Sequence, residues 1–567
     1  METINHKVIV ISAIVVLILG ACTLEPADEA ARSTPATPVE EDMRPHKSDV
    51  QTEIKRESSA TADAVAPMGA RAPQVKSRAM QEALPASGIA HLRAPSEPLN
   101  RENYAHFSDN PLHRVAEAPF STFSIDVDTG AYSNMRRMLN AGNRPLKDAI
   151  RTEELINYFT YDYPRPTHRD KPFSISTEVG PSPWNPDTQL LHIGIQGYDV
   201  ARNQLPAANL VFLVDVSGSM QSPDKLELLK SALRLLVHEL RAEDRVSIVV
   251  YAGASGVVLE PTPGDQVATI GAALDSLTAG GSTNGGAGIR LAYALAQQAF
   301  IKDGINRVIL ATDGDFNVGT VDFEMLKQLV EDRRAHGIGL TTLGFGTGNY
   351  NDHLMEQLAD AGNGNYAYID TLSEARKALV DEMSSTLMTI AKDVKIQVEF
   401  NPATVAEYRL IGYENRSLAR EDFGNDKVDA GEIGAGHSVT AIYEIALAGS
   451  AGQRLDGGRY QPQPHITSHS SELALVRLRY KQPDGMTSTL IERPVHTADV
   501  IKDLGMASED YRFAAAVAGF GQILRGGKYT VDFSYPEVLA LARGARGADP
   551  FGYRGEFLQL ANLASSL

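Results

Sequence analysis

Residues 209–223, NLVFLVDVSGSMQSP, run from an apolar stretch at positions 211–214 into a polar loop. Asp215, Ser217 and Ser219 follow the apolar stretch with a spacing of two residues. A short, continuous apolar run is typical of a strand that is buried on both faces of a parallel sheet. The carboxylate and the two hydroxyls at the end of this strand are compatible with four kinds of feature. These are a nucleophile, a phosphate-binding loop, a metal site and an ordinary turn.

The pattern around this stretch predicts an α/β fold over residues 206–388. Strand-like runs recur at 246–251, 308–311 and 340–343, and helical patterns lie between them. After Pro223, five leucines and a valine recur on one helical face. Alternation of strand and helix predicts a doubly wound parallel sheet with helices on both faces. Ligands of such sheets bind at the carboxyl ends of the strands, where residues 215–219 are expected to lie.

Two later loops add polar residues at other predicted element ends. TAGGSTNGGAGI carries Thr283 before a helix, and RVILATDGDFNVG ends a buried strand with Asp313. Together, the three loops resemble the metal-ion-dependent adhesion site of von Willebrand factor A (VWA) domains, which has the pattern Asp-x-Ser-x-Ser, a loop Thr and a later Asp. The resemblance implies that the two serines and Thr283 bind the ion directly, while the two aspartates act mostly through water. It also implies that a partner protein's Asp or Glu carboxylate completes the coordination. The predicted metal-binding residues are Asp215, Ser217, Ser219, Thr283 and Asp313.

The donor types favour one class of cofactor and argue against catalysis. Carboxylate and hydroxyl oxygens suit Mg²⁺, which we predict, or Mn²⁺ or Ca²⁺, rather than zinc. The serines lie outside a Gly-x-Ser-x-Gly pattern and have no evident histidine partner, and the glycine-rich loop lacks the Lys-Ser/Thr ending of a phosphate loop. The resemblance to VWA domains implies a protein-binding module, and we predict that the protein is not an enzyme. The alternatives are a metal-activated hydrolase at the same site, or a scaffold protein in which the flanking domains bind the partner.

The regions on either side of residues 206–388 differ from it in pattern. Residues 101–205 indicate an N-terminal α+β region, and residues 389–567 indicate a β-rich, sandwich-like region followed by helices. Strands at about 172–198 and 394–495 are predicted to form one sandwich into which the VWA domain is inserted. In SIDVDTGAY, we interpret Asp126 and Asp128 as caps of the following helix. Segments such as STFSIDVDTGAYSNMRRML and DVKIQVEFNP resemble those of the YfbK-like family of bacterial lipoproteins with a VWA domain.

The N-terminus and the overall charge predict location and partners. Residues 1–21 are typical of a secretory signal, and LGAC at 19–22 resembles the bacterial lipobox, which implies a lipid on Cys22. Residues 22–100 are rich in Ala, Pro, Ser and Glu and predict a disordered tether. No later apolar run is long enough to cross a membrane. The resemblance to the lipobox implies lipid anchoring in the cell envelope, and Thr23 after the cysteine favours the outer membrane, facing the periplasm, in a Gram-negative host. The net charge of −18 argues against a nucleic-acid partner.

Overall fold

The computed structural model describes residues 102–167, 170–314, 323–348, 350–456, 471–530 and 532–567. The described residues before position 208 form four strands and two α-helices. They are β1 His113–Arg114, β2 Phe120–Ser124, α1 Gly130–Asn140, α2 Thr152–Asn157, β3 Phe173–Pro181 and β4 Gln189–Gly197.

The middle of the chain alternates strands and helices, as the pattern predicts. In chain order, the elements are β5 Ala208–Asp215, α3 Leu228–Val237, β6 Arg245–Tyr251, β7 Ser255–Pro263, α4 Val267–Asp275, α5 Gly285–Gln298, β8 Ile305–Thr312, α6 Phe323–Ala335, β9 Gly339–Phe345, α7 Asp352–Ala361, β10 Tyr366–Ile369, α8 Leu372–Arg376 and α9 Met383–Leu387.

The remainder of the chain is first β-rich and then helical. The elements are β11 Thr389–Phe400, β12 Val405–Ile411, β13 Ile433–Gly434, β14 Ser438–Leu447, β15 Glu472–Lys481, β16 Ser488–His496, α10 Glu509–Arg525, α11 Tyr535–Gly544 and α12 Tyr553–Ala564.

The central sheet has six strands in the order β10-β9-β8-β5-β6-β7, and only β7 is antiparallel to its neighbour. Strand β5 is fully buried because helices cover both faces of the sheet. Phe212 and its alternate neighbours pack with Leu233 of α3 on one face, whereas Val211 and Leu213 pack with Ile289 of α5 on the other. This architecture confirms the predicted doubly wound α/β fold.

The flanking strands form two further sheets, one ordered β1-β12-β14-β4-β3 and the other β13-β11-β15-β16, with β2 paired to β11. Strand β4, from before the central domain, pairs with β14, from after it. Apolar side chains of both sheets share one core. The strand pairing therefore agrees with the predicted insertion of the α/β domain into a sandwich. Helices α1 and α2 pack with α10, α11 and α12 in a separate helical core.

A buried histidine in β4 makes the flanking sheet sensitive to acid. His192 is 4% exposed, and its Nε2 lies 3.1 Å from the Tyr163 hydroxyl. Burial lowers the pKa of His192 to about 4, so between pH 6.5 and 4 the unfolded chain binds a proton that the folded chain does not. This difference lowers the free energy of unfolding as the pH falls through that window.

We expect His192→Gln to reduce this acid sensitivity. From pH 7 to pH 5, the wild-type chain should lose about 2 kcal/mol of stability more than the variant does, because only the wild type carries the titrating group. Denaturant unfolding at the two pH values measures the difference. The exposed His238 provides the control. The stability of His238→Gln should change between the two pH values as much as that of the wild type. If His192→Gln loses as much stability between pH 7 and pH 5 as the wild type, other groups cause the loss of stability in acid.

Candidate metal centre

Asp215 is the last residue of β5, the strand between β8 and β6, and its side chain is fully buried. One carboxylate oxygen accepts a hydrogen bond of 2.8 Å from the backbone N–H of Ser217. The other accepts hydrogen bonds from the Tyr251 hydroxyl at 3.2 Å and from Thr312 Oγ1 at 2.8 Å. These donors come from the ends of β6 and β8, the two neighbouring strands. The carboxylate is therefore held in one orientation at the carboxyl edge of the sheet.

Burial has an electrostatic consequence for this carboxylate. It raises the pKa of Asp215 to about 6, and the negative charge of Asp313 acts in the same direction, against the hydrogen bonds from Ser217. Such a shift means that the ionised form is costly in the absence of a nearby positive charge. A cation at this edge would offset that cost.

Ser217 and Ser219 place two hydroxyls side by side. Ser217 is extended and buried, and a short 3₁₀ turn, Gly218–Gln221, follows it directly. The change from extended to turn conformation brings Ser217 Oγ to 3.0 Å from Ser219 Oγ. The two-residue spacing in the sequence thus becomes a pair of adjacent oxygens beside Asp215.

The loop that carries Thr283 lies against the loop after β5. Gly218 N donates to Gly281 O at 3.0 Å, and Gly280 N donates to Val216 O at 2.8 Å. Gly281 has φ of +86°, a conformation that favours glycine. Thr283 is half-buried and lies two residues before α5 begins. The two backbone bonds therefore hold the threonine loop beside the serines.

Asp313 directly follows β8, the parallel neighbour of β5, and is fully buried. Its Oδ2 accepts a hydrogen bond of 2.8 Å from the ammonium of Lys225. Gly314 comes next with φ of +83°, and a Cβ there would lie 2.4 Å from Asn351 N, so the turn requires glycine. The structure therefore brings all three predicted loops to one edge of the sheet.

The residues at this edge fit a divalent cation. They offer carboxylate and hydroxyl oxygens, which are the donors that Mg²⁺, Mn²⁺ and Ca²⁺ prefer. Tyr251 and Thr312, which orient Asp215, were not among the predicted site residues. Their positions at the ends of β6 and β8 are the signal that would have indicated them, since parallel strands end at a common edge.

A second group of acidic residues has a different role. One carboxylate oxygen from each of Asp126, Glu154 and Glu356 lies within 4.8 Å of the others. Arg416 Nε donates to Asp126 at 3.1 Å and Arg416 Nη2 to Glu356 at 3.3 Å, while Arg151 pairs with Glu154. The carboxylates are thus paired with arginines, and the cluster joins α7 to the flanking region.

The interpretation of Asp126 and Asp128 as helix caps was wrong. The side chain of Asp128 accepts a hydrogen bond from Tyr366 N of β10 at 2.8 Å, and Asp126 accepts from the N–H of Asp128 at 3.0 Å. A distant residue, Glu154, accepts from Ala131 N in the first turn of α1 at 2.7 Å instead. Local spacing could not indicate this partner, because Glu154 reaches α1 only through the packing of α2.

Three family models match the chain. The model described as von Willebrand factor type A domain matches residues 210–315, and the model described as von Willebrand factor matches residues 98–192. A third, described as Uncharacterized protein YfbK, C-terminal, matches residues 385–567. The first of these matches contains all five predicted metal-binding residues. The fold and this match define a protein with a von Willebrand factor A domain.

Similarity to whole proteins identifies the family. Uncharacterized protein YfbK of Escherichia coli (strain K12) is 48% identical over 472 residues, which cover 82% of this chain and 81% of that protein. The chain belongs to the YfbK family. Inter-alpha-trypsin inhibitor heavy chain H3 of Homo sapiens is 25% identical over 280 residues, 45% of this chain and 31% of that protein. The solved structure of von Willebrand factor type A from Catenulispora acidiphila covers 70% of this chain and 91% of its own, with a TM-score of 0.38 and 16% identity.

The predicted signal peptide at residues 1–21, the lipid site Cys22 and the tether at 22–100 lie outside the described residues. Among the helices of the described part of the chain, none combines the length and the apolar character needed to span a bilayer.

Proposed function

We propose that this chain is a lipid-anchored protein of the cell envelope that binds other proteins through a divalent cation. Asp215, Ser217, Ser219, Thr283 and Asp313 would hold the ion, which we propose to be Mg²⁺. When bound, the ion would supply a positive charge for an Asp or Glu carboxylate of the partner. The observation that carries the proposal is the convergence of three loops, far apart in sequence, at the edge of the sheet where the buried Asp215 carboxylate lies.

The geometry favours binding over hydrolysis. A metal-activated hydrolase needs a general base that can accept a proton from water near the ion. Both oxygens of Asp215 already accept hydrogen bonds, and Asp313 is paired with Lys225. Neither carboxylate is therefore well placed to act as a base. We propose that the domain is not an enzyme and that the rest of the chain positions it.

The metal dependence of partner binding tests the proposal. We expect a cross-linked partner to be captured from intact cells in Mg²⁺, to be lost in a chelator and to return when Mg²⁺ is restored. The double variant Ser217→Ala/Ser219→Ala should lose capture as well, because the ion loses two oxygen ligands. Ser276→Ala, which removes an exposed hydroxyl of the same domain, serves as the control. Capture that survives both the chelator and the double variant would instead support partner binding by the flanking domains.

The proposed anchor has its own test. Cys22 is the single cysteine of the chain, so a labelled fatty-acid analogue that attaches to a thiol can attach only at this position. We expect label in the wild type and none in Cys22→Ser. Ser33→Ala in the same segment should behave as wild type. Equal labelling of the wild type and Cys22→Ser would contradict lipidation at this residue.

A further inference from the structure

Lys225 places a buried positive charge at the candidate metal centre. Its ammonium lies 2.8 Å from Asp313 Oδ2, and the side chains are 8% and 0% exposed, respectively. Lysine is rarely buried unless it is paired, because removal of its charge from water is costly. The position was not among the five predicted site residues. It lies in a π-helical turn, Pro223–Glu227, directly before α3.

The packing of the lysine stem fixes the position of its ammonium. Gly346, in the turn after β9, has φ of +73°, and a Cβ there would lie 2.2–2.7 Å from Cγ, Cδ and Cε of Lys225. The stem therefore lies directly against this turn, which has room for it only because residue 346 is glycine. An ammonium held in this way is part of the fold and does not move freely at the surface.

The two carboxylates of the centre have different kinds of hydrogen-bond donor. Asp215 accepts hydrogen bonds from three uncharged donors, whereas Asp313 accepts one from a cation. Two ionised carboxylates alone would balance the two charges of a divalent ion. With Lys225 included, the protein groups sum to one negative charge, so the loaded centre carries one net positive charge.

We propose that Lys225 is a specificity-determining residue, which balances Asp313 so that the bound cation keeps a net positive charge for an incoming carboxylate. The inference rests on the function proposed above and extends it to a residue outside the five predicted metal-binding residues. Two effects of opposite sign follow from it. The lysine repels the divalent ion and weakens its binding, and it strengthens binding of a carboxylate to the loaded centre. Each effect is expected to be on the order of tenfold, since charges several ångströms apart interact strongly where water is excluded.

The variant Lys225→Met tests both effects, because methionine keeps much of the apolar stem and removes the charge. Titration calorimetry with MgCl₂ should show Mg²⁺ binding that is about tenfold tighter in the variant than in the wild type. Binding of [¹³C]acetate to the Mn²⁺-loaded protein, followed through the paramagnetic relaxation of the acetate carbons, should be about tenfold weaker in the variant. Lys225→Gln, whose amide can still donate to Asp313, is the second variant if Lys225→Met does not fold, and it should show the same two shifts.

Lys230→Met is the matched control. Lys230 lies on α3, is 8% exposed and pairs with Glu227 at 2.8 Å, but it does not contact the five residues in any hydrogen bond or ion pair of the described chain. Its variant should retain both wild-type affinities. Equal affinities in Lys225→Met and the wild type, or a loss of both together, would overturn the role of Lys225 in specificity. Absence of Mg²⁺ binding by the wild type itself would instead overturn the proposed function.

Discussion

Asp215→Ala is expected to weaken Mg²⁺ binding by on the order of 100-fold, which corresponds to about 3 kcal/mol. The substitution removes one of the two negative charges at the centre. It also removes the acceptor that holds Ser217 N and Thr312 Oγ1, so the serine loop and the end of β8 lose their common anchor. Titration calorimetry with MgCl₂ compares the two proteins directly.

Thermal unfolding gives an independent measurement of the same effect. A ligand present at 100 times its Kd stabilises a folded protein by about 2.7 kcal/mol, so Mg²⁺ should stabilise the wild type and leave Asp215→Ala almost unchanged. Asp265→Ala removes an exposed carboxylate of the same domain and should respond to Mg²⁺ as the wild type does. Equal Mg²⁺ affinity in Asp215→Ala and the wild type would disprove the assignment of the site.

Arg416→Met is expected to lower the free energy of unfolding by about 3–5 kcal/mol. The guanidinium lies between the flanking region and the VWA domain, and it is 12% exposed. It pairs with Asp126 at 3.1 Å and Asp128 at 3.4 Å on one side, and with Glu356 at 3.3 Å and Asp360 at 2.6 Å on the other. Its loss would leave several carboxylates close together without their shared cation.

Denaturant unfolding of Arg416→Met and of a surface variant separates this effect from a general effect of lost charge. Arg165 pairs with Asp199 at 2.8 Å, but the two side chains are 69% and 47% exposed. Arg165→Met should therefore cost no more than about 1 kcal/mol. Similar losses in the two variants would show that burial of the Arg416 network adds nothing to the stability of the fold.

The local pattern was sufficient for the central domain. Apolar runs of strand length between amphipathic segments are typical of a mostly parallel sheet with helices covering both faces, because apolar strands need both faces of the sheet buried. The predicted buried face of the helix after Pro223 also agrees with the structure, in which Leu229, Leu233 and Leu236 are buried. Asp215, the two serines and Asp313 could be anticipated because they follow the ends of strands, and parallel strands bring those ends to one edge. Thr283 lies between two helices, and only the resemblance to VWA domains indicated it.

The pairing of charges was decided by the tertiary structure. The sequence shows that Lys225, Arg416 and Glu154 are ionisable, and by itself it indicated the type of sheet and the edge at which the site residues meet. It could not show that Lys225 faces Asp313, or that Arg416 joins acids of two regions more than 200 residues apart. Hydrophobic periodicity is a local property, since the spacing of apolar residues repeats with every helical turn or strand pleat and can be seen within a short segment. A buried ion pair depends on which distant elements pack together, and only the folded chain defines that.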